Sequence, residues 1–573
     1  MNIVNEKIQI EVLVIGGGQA GILAAIECAD AGKKVILVTK GPFGRDGAST
    51  WLAGWGNQMA LYAPDSPEIH AADTFRAGMF VNDQRLVQNL TGELPYVFEN
   101  LRKWKIRYKI IKGKVVQIEV PGGETYPRIP SFAREGVMGG QEYRRVLPNQ
   151  VKKRPITIMS DLIVLDLIVN DGQVGGAVGL NIRNGNFVTI EAKATILATG
   201  GFIGLYSYTA GSPGSIGDGI AMAYRVGAKI RDMEFINFHS LIACWPSIIR
   251  GEAYVISLYY SLKGQILNKM GFDFRKKHPG KGKLSSSVII QQEIRAKRGS
   301  PHGGVYCSFR DLPANLIQDF IDATPQKHLK LILNEAGIDI KKDAIEIAPC
   351  PLAGNGGCDV DENCFTNIPG LIAAGEVVGG HEGAYTMAGN TVALQFAMGS
   401  IAGKSAIKLA SETVNVPSAN SSAVNAIIDK TRSMIEGGTS SGPSPIEMRS
   451  KIQDFMGTYL QLLDRNNENL TRGVDEILSL KKDCDCMQLA HRGKHFNVEL
   501  IDGIECRKAI IVAELAARAA LTREESRGFH YREDFPDSDN ANWLKTVYLQ
   551  KKGEDMAVWA ENIDMPFLEP DGR

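Results

Sequence analysis

Glu11-Val12-Leu13-Val14-Ile15-Gly16-Gly17-Gly18-Gln19-Ala20-Gly21 is the stretch from which the fold of this chain can be inferred. Its first five residues are mostly apolar and β-branched, which predicts a short buried strand of a parallel sheet. The glycines have the spacing G-x-G-x-x-G, and residues 22–31 then predict a helix that Gly32 ends. Val35 to Val38 predicts the next strand. A βαβ unit of about 30 residues with such a turn binds the pyrophosphate of a dinucleotide at the helix N-terminus.

The end of the second predicted strand narrows the choice of dinucleotide. It reads Thr39-Lys40, whereas NAD-binding units carry an acidic residue there that bonds the ribose. The missing carboxylate argues against NAD.

Four later segments favour FAD. Residues 44–57 are rich in small residues, which let backbone amides approach a flat ring. A second glycine turn reads Ala198-Thr199-Gly200-Gly201, Gly217-Asp218-Gly219 opens a helix, and Gly375-Glu376 precedes another helix that begins near Asn390. The N-terminus of that last helix is expected to face the flavin, where its dipole stabilises the reduced, anionic ring. The residues predicted to bind FAD are Gly16, Gly18, Gln19, Ala20, Gly21, Thr39, Lys40, Gly47, Ala48, Ser49, Thr50, Gly54, Trp55, Gly56, Asn57, Ala198, Thr199, Gly200, Asp218, Glu376, Asn390, Thr391 and Val392.

In this order and spacing, the segments resemble the flavoprotein subunit of succinate dehydrogenase and fumarate reductase, whose relatives include L-aspartate oxidase and the adenylylsulfate reductase α subunit. The C-terminal part agrees with that family's signature. It reads Thr522-Arg523-Glu524-Glu525-Ser526-Arg527-Gly528-Phe529-His530-Tyr531-Arg532-Glu533-Asp534-Phe535-Pro536, followed by Asn542-Trp543-Leu544. The resemblance extends over nearly the whole chain.

The resemblance implies an α/β fold built from several domains. A Rossmann-like FAD-binding domain is expected at residues 1–234 and 350–420, with an inserted α+β capping domain at 235–349. A helical domain is expected at 421–530 and a C-terminal extension at 531–573. A chain of 573 residues is too long for one hydrophobic core, which agrees with this division.

Composition limits the partners and the compartment. Lys+Arg and Asp+Glu are both 64, so the formal charge of zero gives no support to nucleic acid as a partner. No apolar run reaches the roughly 18 residues that span a bilayer, and residues 1–10 lack an apolar signal region. Nine scattered cysteines are typical of a reducing compartment. We therefore expect a cytoplasmic protein, with any contact to the inner face of the membrane made through a partner.

The chain departs from the respiratory members of the family at several positions. Those members attach FAD to a histidine in the loop after the second strand, but residues 45–50 contain none, so non-covalent FAD is expected. The family's proton-donating arginine falls at Val288 or a close neighbour, its substrate arginine at Thr386 and its substrate histidine at about Leu352. Because neither Thr nor Val replaces a bidentate Arg–carboxylate contact, simple succinate or fumarate chemistry is not expected.

Four residues are candidates for catalysis. His239 lies where the family has a substrate histidine, although a core histidine bonded to backbone is the alternative. His381 and Tyr385 belong to the segment expected to cross the substrate side of the flavin, and His381 has the near-neutral ordinary pKa of an acid–base catalyst. Arg310 is a possible replacement cation, with a surface salt bridge as the alternative. The pair Tyr259-Tyr260 is expected to serve packing in the cap.

The predicted function is that of an FAD-dependent oxidoreductase. The cysteine spacings form no metal or iron–sulfur motif, so no metal is expected, although a redox-active thiol at Cys350 stays possible. Electrons would then leave through a separate iron–sulfur partner, because a flavin couples two-electron to one-electron transfer. A self-contained oxidase or reductase, an adenylylsulfate-reductase-like enzyme and a non-catalytic flavin scaffold remain alternatives.

Overall fold

A computed structural model describes residues 5–50, 57–118, 123–133, 139–274, 283–323, 333–436 and 442–570. A seven-stranded sheet organises the first domain. Its strands are β1 (Asn5–Ile15), β2 (Val35–Val38), β7 (Ile156–Met159), β8 (Leu162–Asn170), β9 (Gln173–Asn181), β10 (Phe187–Leu197) and β17 (Leu371–Ala373). Their order in the sheet is β7-β2-β1-β10-β9-β8, with β17 also paired to β10.

The pairing around β1 is parallel and gives the Rossmann-like half of the sheet. β1 pairs with β2 and β10, β2 pairs with β7, and β10 pairs with β17, all in parallel, whereas β8, β9 and β10 pair antiparallel. The carboxyl ends of β1, β2 and β10 therefore open on one edge, where ligands of such sheets bind. β2 has the predicted bounds, and β1 begins at Asn5, earlier than the predicted start at Glu11.

Helices pack on this sheet and on one another. They are α1 (Gln19–Asp30), α2 (Pro67–Ala77), α3 (Gln84–Lys103), α4 (Gly139–Lys152), α5 (Asp218–Arg225) and α9 (Asn390–Glu412). Short 3-10 turns lie at Ala48–Thr50, Ile203–Leu205 and Ser247–Ile249. Two small ribbons pair β3 (Ile110–Ile111) with β4 (Lys114–Val115) and β5 (Gln117–Ile118) with β6 (Ile129–Pro130).

The inserted capping domain has its own sheet and its own hydrophobic core. Its elements are β12 (Ile236–Trp245), α6 (Tyr254–Leu262), β13 (Gln265–Leu267), α7 (Lys283–Arg295), β14 (Val305–Ser308), α8 (Ala314–Ala323) and β15 (Ile345–Gly354). The sheet order is β12-β15-β14-β13, and the core joins buried residues between Leu241 and Ile347. β12 and β15 carry the chain into and out of the cap, and β15 continues past residue 349. The exact domain boundaries remain a prediction.

The C-terminal part is a helical domain that ends in a hairpin. The helices are α10 (Ser421–Glu436), α11 (Pro445–Tyr459), α12 (Asn467–Asp485), α13 (Val498–Thr522) and α14 (Asn540–Trp543). The hairpin of β18 (Lys545–Lys552) and β19 (Asp555–Asn562) joins β11 (Ile230–Arg231) and β16 (Gly357–Cys358) in a four-stranded sheet. Within the described ranges, no helix is both long enough and apolar enough to cross a membrane.

Candidate cofactor and substrate site

A cavity of about 420 Å³ lies at the carboxyl ends of β1, β2 and β10 and continues under the cap. Most of the residues predicted to bind FAD line it. They are Gly16, Gly18, Gln19, Ala20, Thr39, Lys40, Gly47, Ala48, Ser49, Ala198, Thr199, Gly200, Asp218, Glu376, Thr391 and Val392.

The first glycine turn is shaped by a close backbone contact. Gly16 has φ +116°, and a Cβ built there would lie 2.0 Å from the carbonyl oxygen of Ala198. Only glycine therefore fits at this point of the turn, where the strand β1 passes the end of β10.

The N-terminus of α1 borders the same turn. Its N-cap, Gly18, has no side chain with which to cap the helix, and Ser49 Oγ accepts the N–H of Gln19 at 3.1 Å. Further N–H groups of this first turn are thereby left for a ligand. The side chain of Gln19 donates to the carbonyl oxygen of Val392 at 3.2 Å, which ties α1 to the start of α9.

The end of β2 carries a charged cluster in place of the absent acidic residue. Lys40 Nζ lies 2.9 Å from Asp218 Oδ2 and 2.6 Å from Glu505 Oε1, and it also donates to the carbonyl oxygen of Gly214. Burial lowers the pKa of Lys40, but the two carboxylates outweigh burial and raise it above its ordinary value.

Glu376 is half-buried on the cavity wall next to the second glycine turn. Burial raises the pKa of its carboxyl to about 7, although the backbone N–H groups of Gly201 and Gly354 donate to it and favour the charged form. A carboxyl of this kind accepts hydrogen bonds from hydroxyl groups of a ligand.

The N-terminus of α9 opens on the same cavity. Its N-cap, Gly389, is left-handed at φ 78° and offers no capping side chain, while Thr391 and Val392 line the cavity. The side chain of Asn390 is engaged elsewhere, because its Oδ1 accepts a hydrogen bond from His70 Nε2 at 2.7 Å. The positive end of the α9 dipole therefore faces the cavity through backbone groups.

Some residues predicted to bind FAD lie behind the residues that line the cavity. A Cβ at Gly21 would lie 2.0 Å from the carbonyl oxygen of Gly16, so Gly21 allows helix–turn packing. Thr50 Oγ1 donates to the carbonyl oxygen of Gly47 at 2.8 Å. Asn57 is buried and accepts a hydrogen bond from the hydroxyl of Tyr143, which lines the cavity. Gly54, Trp55 and Gly56 lie outside the described residues.

His239 lines the cavity from the cap side. It is 5 % exposed, and its Nδ1 accepts the backbone N–H of Leu241 at 3.2 Å. Since Nδ1 is an acceptor, the neutral ring carries its proton on Nε2. His239 thus combines both expectations from the sequence, a backbone-bonded histidine and a residue on the wall of the pocket.

Two positions that departed from the family pattern also lie on this wall. Leu352 presents an apolar side chain, and Thr386 donates through its hydroxyl to Asn355 Oδ1 at 3.3 Å. Val288 is different, because it is partly buried against the main hydrophobic core.

The other three catalytic candidates are not among the residues that line the cavity. His381 is 2 % exposed and burial lowers its pKa to about 4, which does not fit the near-neutral acid–base role expected of it. Tyr385 stacks on Phe529 with ring centroids 4.9 Å apart. The Arg310 side chain is 60 % exposed and lies 3.9 Å from Asp311, which is the arrangement of a surface salt bridge.

Cys350 is fully buried in β15, and burial raises the pKa of its thiol above the ordinary value. Because the thiolate is the reactive form, this environment disfavours a redox role.

Cap residues complete the wall, although the sequence did not single out Ala253 and Ile256 and assigned Tyr260 only to packing in the cap. Ala253, Ile256 and Tyr260 line the cavity from α6 and the residue before it. Ile256 and Tyr260 are four residues apart and share a helix face. Both side chains also pack against the hydrophobic core of the cap, so Tyr260 has the expected packing role together with a place on the cavity wall that the spacing alone does not show.

The cavity fits FAD. A Cβ at Gly18, on its glycine turn, would meet only Ser49 Oγ of the protein, and two buried polar side-chain atoms on its wall, Gln19 Oε1 and Thr199 Oγ1, have no hydrogen-bond partner in the described part of the chain. The helix N-termini of α1 and α9 stand at two places along the wall, one suited to a pyrophosphate and one to an electron-rich ring.

Comparisons with known proteins agree with this geometry. The family model described as FAD binding domain matches residues 11–392, and the model described as Fumarate reductase flavoprotein C-term matches residues 449–573.

Individual relatives are similar over almost their full length. A fumarate reductase (CoM/CoB) subunit of Methanothermobacter marburgensis is 32% identical over 96% of this chain and 98% of that protein. L-aspartate oxidase of Saccharolobus solfataricus is 28% identical over 94% of this chain and 99% of that protein. The structure of Mycobacterium smegmatis Sdh1 is 30% identical with a TM-score of 0.88, covering 98% of this chain and 95% of that one.

Proposed function

Since this chain belongs to the succinate dehydrogenase and fumarate reductase flavoprotein family, we propose that it is the catalytic subunit of an oxidoreductase that exchanges electrons between a small molecule other than succinate or fumarate and a separate iron–sulfur protein. Bound FAD supplies the redox chemistry, accepting or giving two electrons at its ring and passing them singly. The protein holds the cofactor and places the substrate against it.

The observation that carries the substrate proposal is the chemistry of the cavity wall. At two positions where the resemblance places groups that bind a dicarboxylate, the wall has Leu352 and Thr386. Thr386 offers one hydroxyl, which Asn355 already engages, so it cannot pair with a carboxylate as a guanidinium does. A substrate with fewer negative charges matches these side chains better.

His239 is proposed to be the catalytic residue that this chain supplies. Because Nδ1 accepts the Leu241 N–H, the neutral ring donates through its Nε2–H. A donor whose ring is held in this way can deliver a proton to a substrate atom or orient it by a hydrogen bond.

Two observations support the iron–sulfur partner. Within the described ranges, no group of three or more His, Cys, Asp and Glu side chains could hold a metal ion, and a partner that carries a cluster would accept the electrons of the flavin singly. The relative from Methanothermobacter marburgensis is itself named as one subunit.

The experiment is a screen for bleaching of the flavin absorbance in the purified protein. Enoyl-CoA esters, dicarboxylates, adenylylsulfate with sulfite, and thiols are added anaerobically to the oxidised or photoreduced form. We expect succinate and fumarate to leave the spectrum unchanged and one other class to alter it. Rapid bleaching by succinate would contradict the substrate proposal.

A matched pair of variants tests His239. His239→Asn is expected to slow bleaching by the active class by about 10²-fold or more, the usual contribution of a positioned proton donor. His495→Asn serves as the control, because His495 is exposed, is not among the residues that line the cavity, and bonds the backbone carbonyl of Arg183 with its ring. Rapid reoxidation of the reduced flavin by air alone would contradict the partner proposal and favour a self-contained oxidase.

A further inference from the structure

A line of charged side chains connects the cavity to the C-terminal helical domain. It begins with Lys40 and Asp218 on the cavity wall and continues to Glu505 and Lys508 of α13. Lys508 Nζ lies 3.1 Å from Asp218 Oδ1 and also donates to the backbone carbonyl of Val164 in β8. The four charges cancel in two pairs, which is how buried ions are tolerated.

The ammonium group of Lys40 has no N–H group to spare in this arrangement. It has three N–H donors, and the Gly214 carbonyl, Asp218 and Glu505 provide three acceptors at 3.0, 2.9 and 2.6 Å. Lys40 therefore lines the cavity with its stem, while its charge is directed at the protein. This differs from the direct cofactor contact that the sequence predicts for it.

Asp218 is left as the group that meets the cofactor. Each of its oxygens receives one ammonium, from Lys40 and from Lys508, and a carboxylate has about four lone-pair sites in total. Acceptor capacity therefore remains toward the cavity. In sheets of this type, a carboxylate at the end of the second strand contacts the adenosine ribose. Here Lys40 stands at that position and binds Asp218 of α5, whose carboxylate replaces the missing one.

From this geometry we infer that Glu505, a residue of the helical domain, is a positioning residue for FAD, holding Lys40 and thereby Asp218 in place to receive the adenosine half. Glu505 lies behind the cavity wall, so it acts through Lys40 and not by contact. The helical domain is then part of the cofactor site, and its packing against the first domain is coupled to FAD affinity.

The same helix provides a matched control. Asp502 precedes Glu505 by three residues, and its partner is Arg449 of α11 at 2.8 Å instead of Lys40. Glu505 Oε2 also faces Arg449, at 3.6 Å. Asp502→Asn therefore weakens the α11–α13 contact on the same face, while it removes no group that contacts Lys40.

The test measures FAD affinity by titrating apoprotein and following the quenching of flavin fluorescence. Glu505→Gln is expected to raise the dissociation constant for FAD about tenfold, which corresponds to about 1.4 kcal/mol. Asp502→Asn is expected to stay within about twofold of the parent, as for a partly exposed pair. ADP, which carries the adenosine half alone, should lose affinity by about the same factor as FAD in Glu505→Gln.

A double-mutant cycle separates positioning from general loosening of the structure. If Glu505 acts through Lys40, the effects of Glu505→Gln and Lys40→Met on FAD affinity will be strongly non-additive. The thermal midpoint of each apoprotein is recorded alongside. An unchanged FAD affinity in Glu505→Gln, or an equal loss in Asp502→Asn, would overturn the inference. These outcomes are independent of which substrate or electron carrier the enzyme uses.

Discussion

Among individual residues, buried histidines link stability to pH. His70, His381 and His530 are each at most 2 % exposed. Burial lowers the pKa of His70 and His381 to about 4, and burial with three neighbouring arginines holds the pKa of His530 well below its usual range. All three are therefore neutral in the folded protein near neutral pH.

The direction of the pH effect follows from these shifts. Below pH 6.5 the unfolded chain binds protons at these rings and the folded chain does not, so stability is fully present above 6.5 and is lost as the pH falls toward 4. His70 and His381 each contribute a loss of about 2 kcal/mol at about pH 5. His70→Gln keeps a donor for Asn390 and is expected to flatten the fall of the thermal midpoint between about pH 8 and pH 4, while the exposed His495→Gln leaves it unchanged. An equally steep profile in both variants would contradict this assignment.

The loop after β2 leads to a second prediction. Residues 45–50 contain no histidine, and the structure places Gly47, Ala48 and Ser49 on the cavity wall. FAD held only by non-covalent contacts will be released completely when the protein is unfolded in acid. The flavin absorbance should appear in the supernatant after precipitation, and absorbance left in the protein pellet would contradict a non-covalent site.

Gly16 and Gly18, in the turn between β1 and α1, have different structural roles. Gly16→Ala is expected to prevent folding, because its Cβ would overlap the Ala198 carbonyl and its φ is +116°. Gly18 has φ −73°, and its Cβ would meet only Ser49 Oγ at 3.2 Å. Gly18→Ala should therefore fold, yet bind FAD at least about tenfold more weakly, because the methyl group occupies the approach of the pyrophosphate. Circular dichroism and FAD titration check the two parts separately. Wild-type FAD affinity in Gly18→Ala would show that the cofactor does not approach this residue closely.

Strands and helices were predictable from the sequence where a pattern of a few neighbouring residues determines them. The bounds of β2 were predicted, and α1, α5 and α9 occur where helices were expected, because periodicity and glycine stops act within a few residues. The side chains that face the cavity from the cap were not predictable. The exposed Arg310 forms the surface salt bridge with its neighbour Asp311 that was the alternative given for it, but the position of Tyr260 on the wall depends on the packing of α6 on β12. The same holds for Lys40, whose partner Glu505 is 465 residues away.

The C-terminal segment that resembles the family signature, residues 522–536, connects the domains through buried ion pairs. Arg523 is fully buried and lies 2.7 Å from Glu234 of the first domain and 2.9 Å from Glu525. It also donates to the backbone carbonyl of Lys545, which begins the C-terminal hairpin. Arg527 pairs with the same Glu525. The guanidinium of Arg523 thus joins the first domain, the end of α13 and the hairpin.

Removing that guanidinium tests the joint. Arg523→Met leaves the carboxylate of Glu234 buried without its partner, so we expect the free energy of unfolding to fall by about 3–5 kcal/mol. Arg432→Met is the matched control, because Arg432 pairs with Asp429 on the surface of α10 and such pairs contribute about 0–1 kcal/mol. Adding Glu234→Gln to Arg523→Met removes the stranded charge and should recover part of the loss, since the two sites are in direct contact. Thermal midpoints of the FAD-loaded proteins measure all three. If Arg523→Met unfolds at the same temperature as Arg432→Met, the three parts are held by their apolar contacts and the buried ion pairs contribute nothing net.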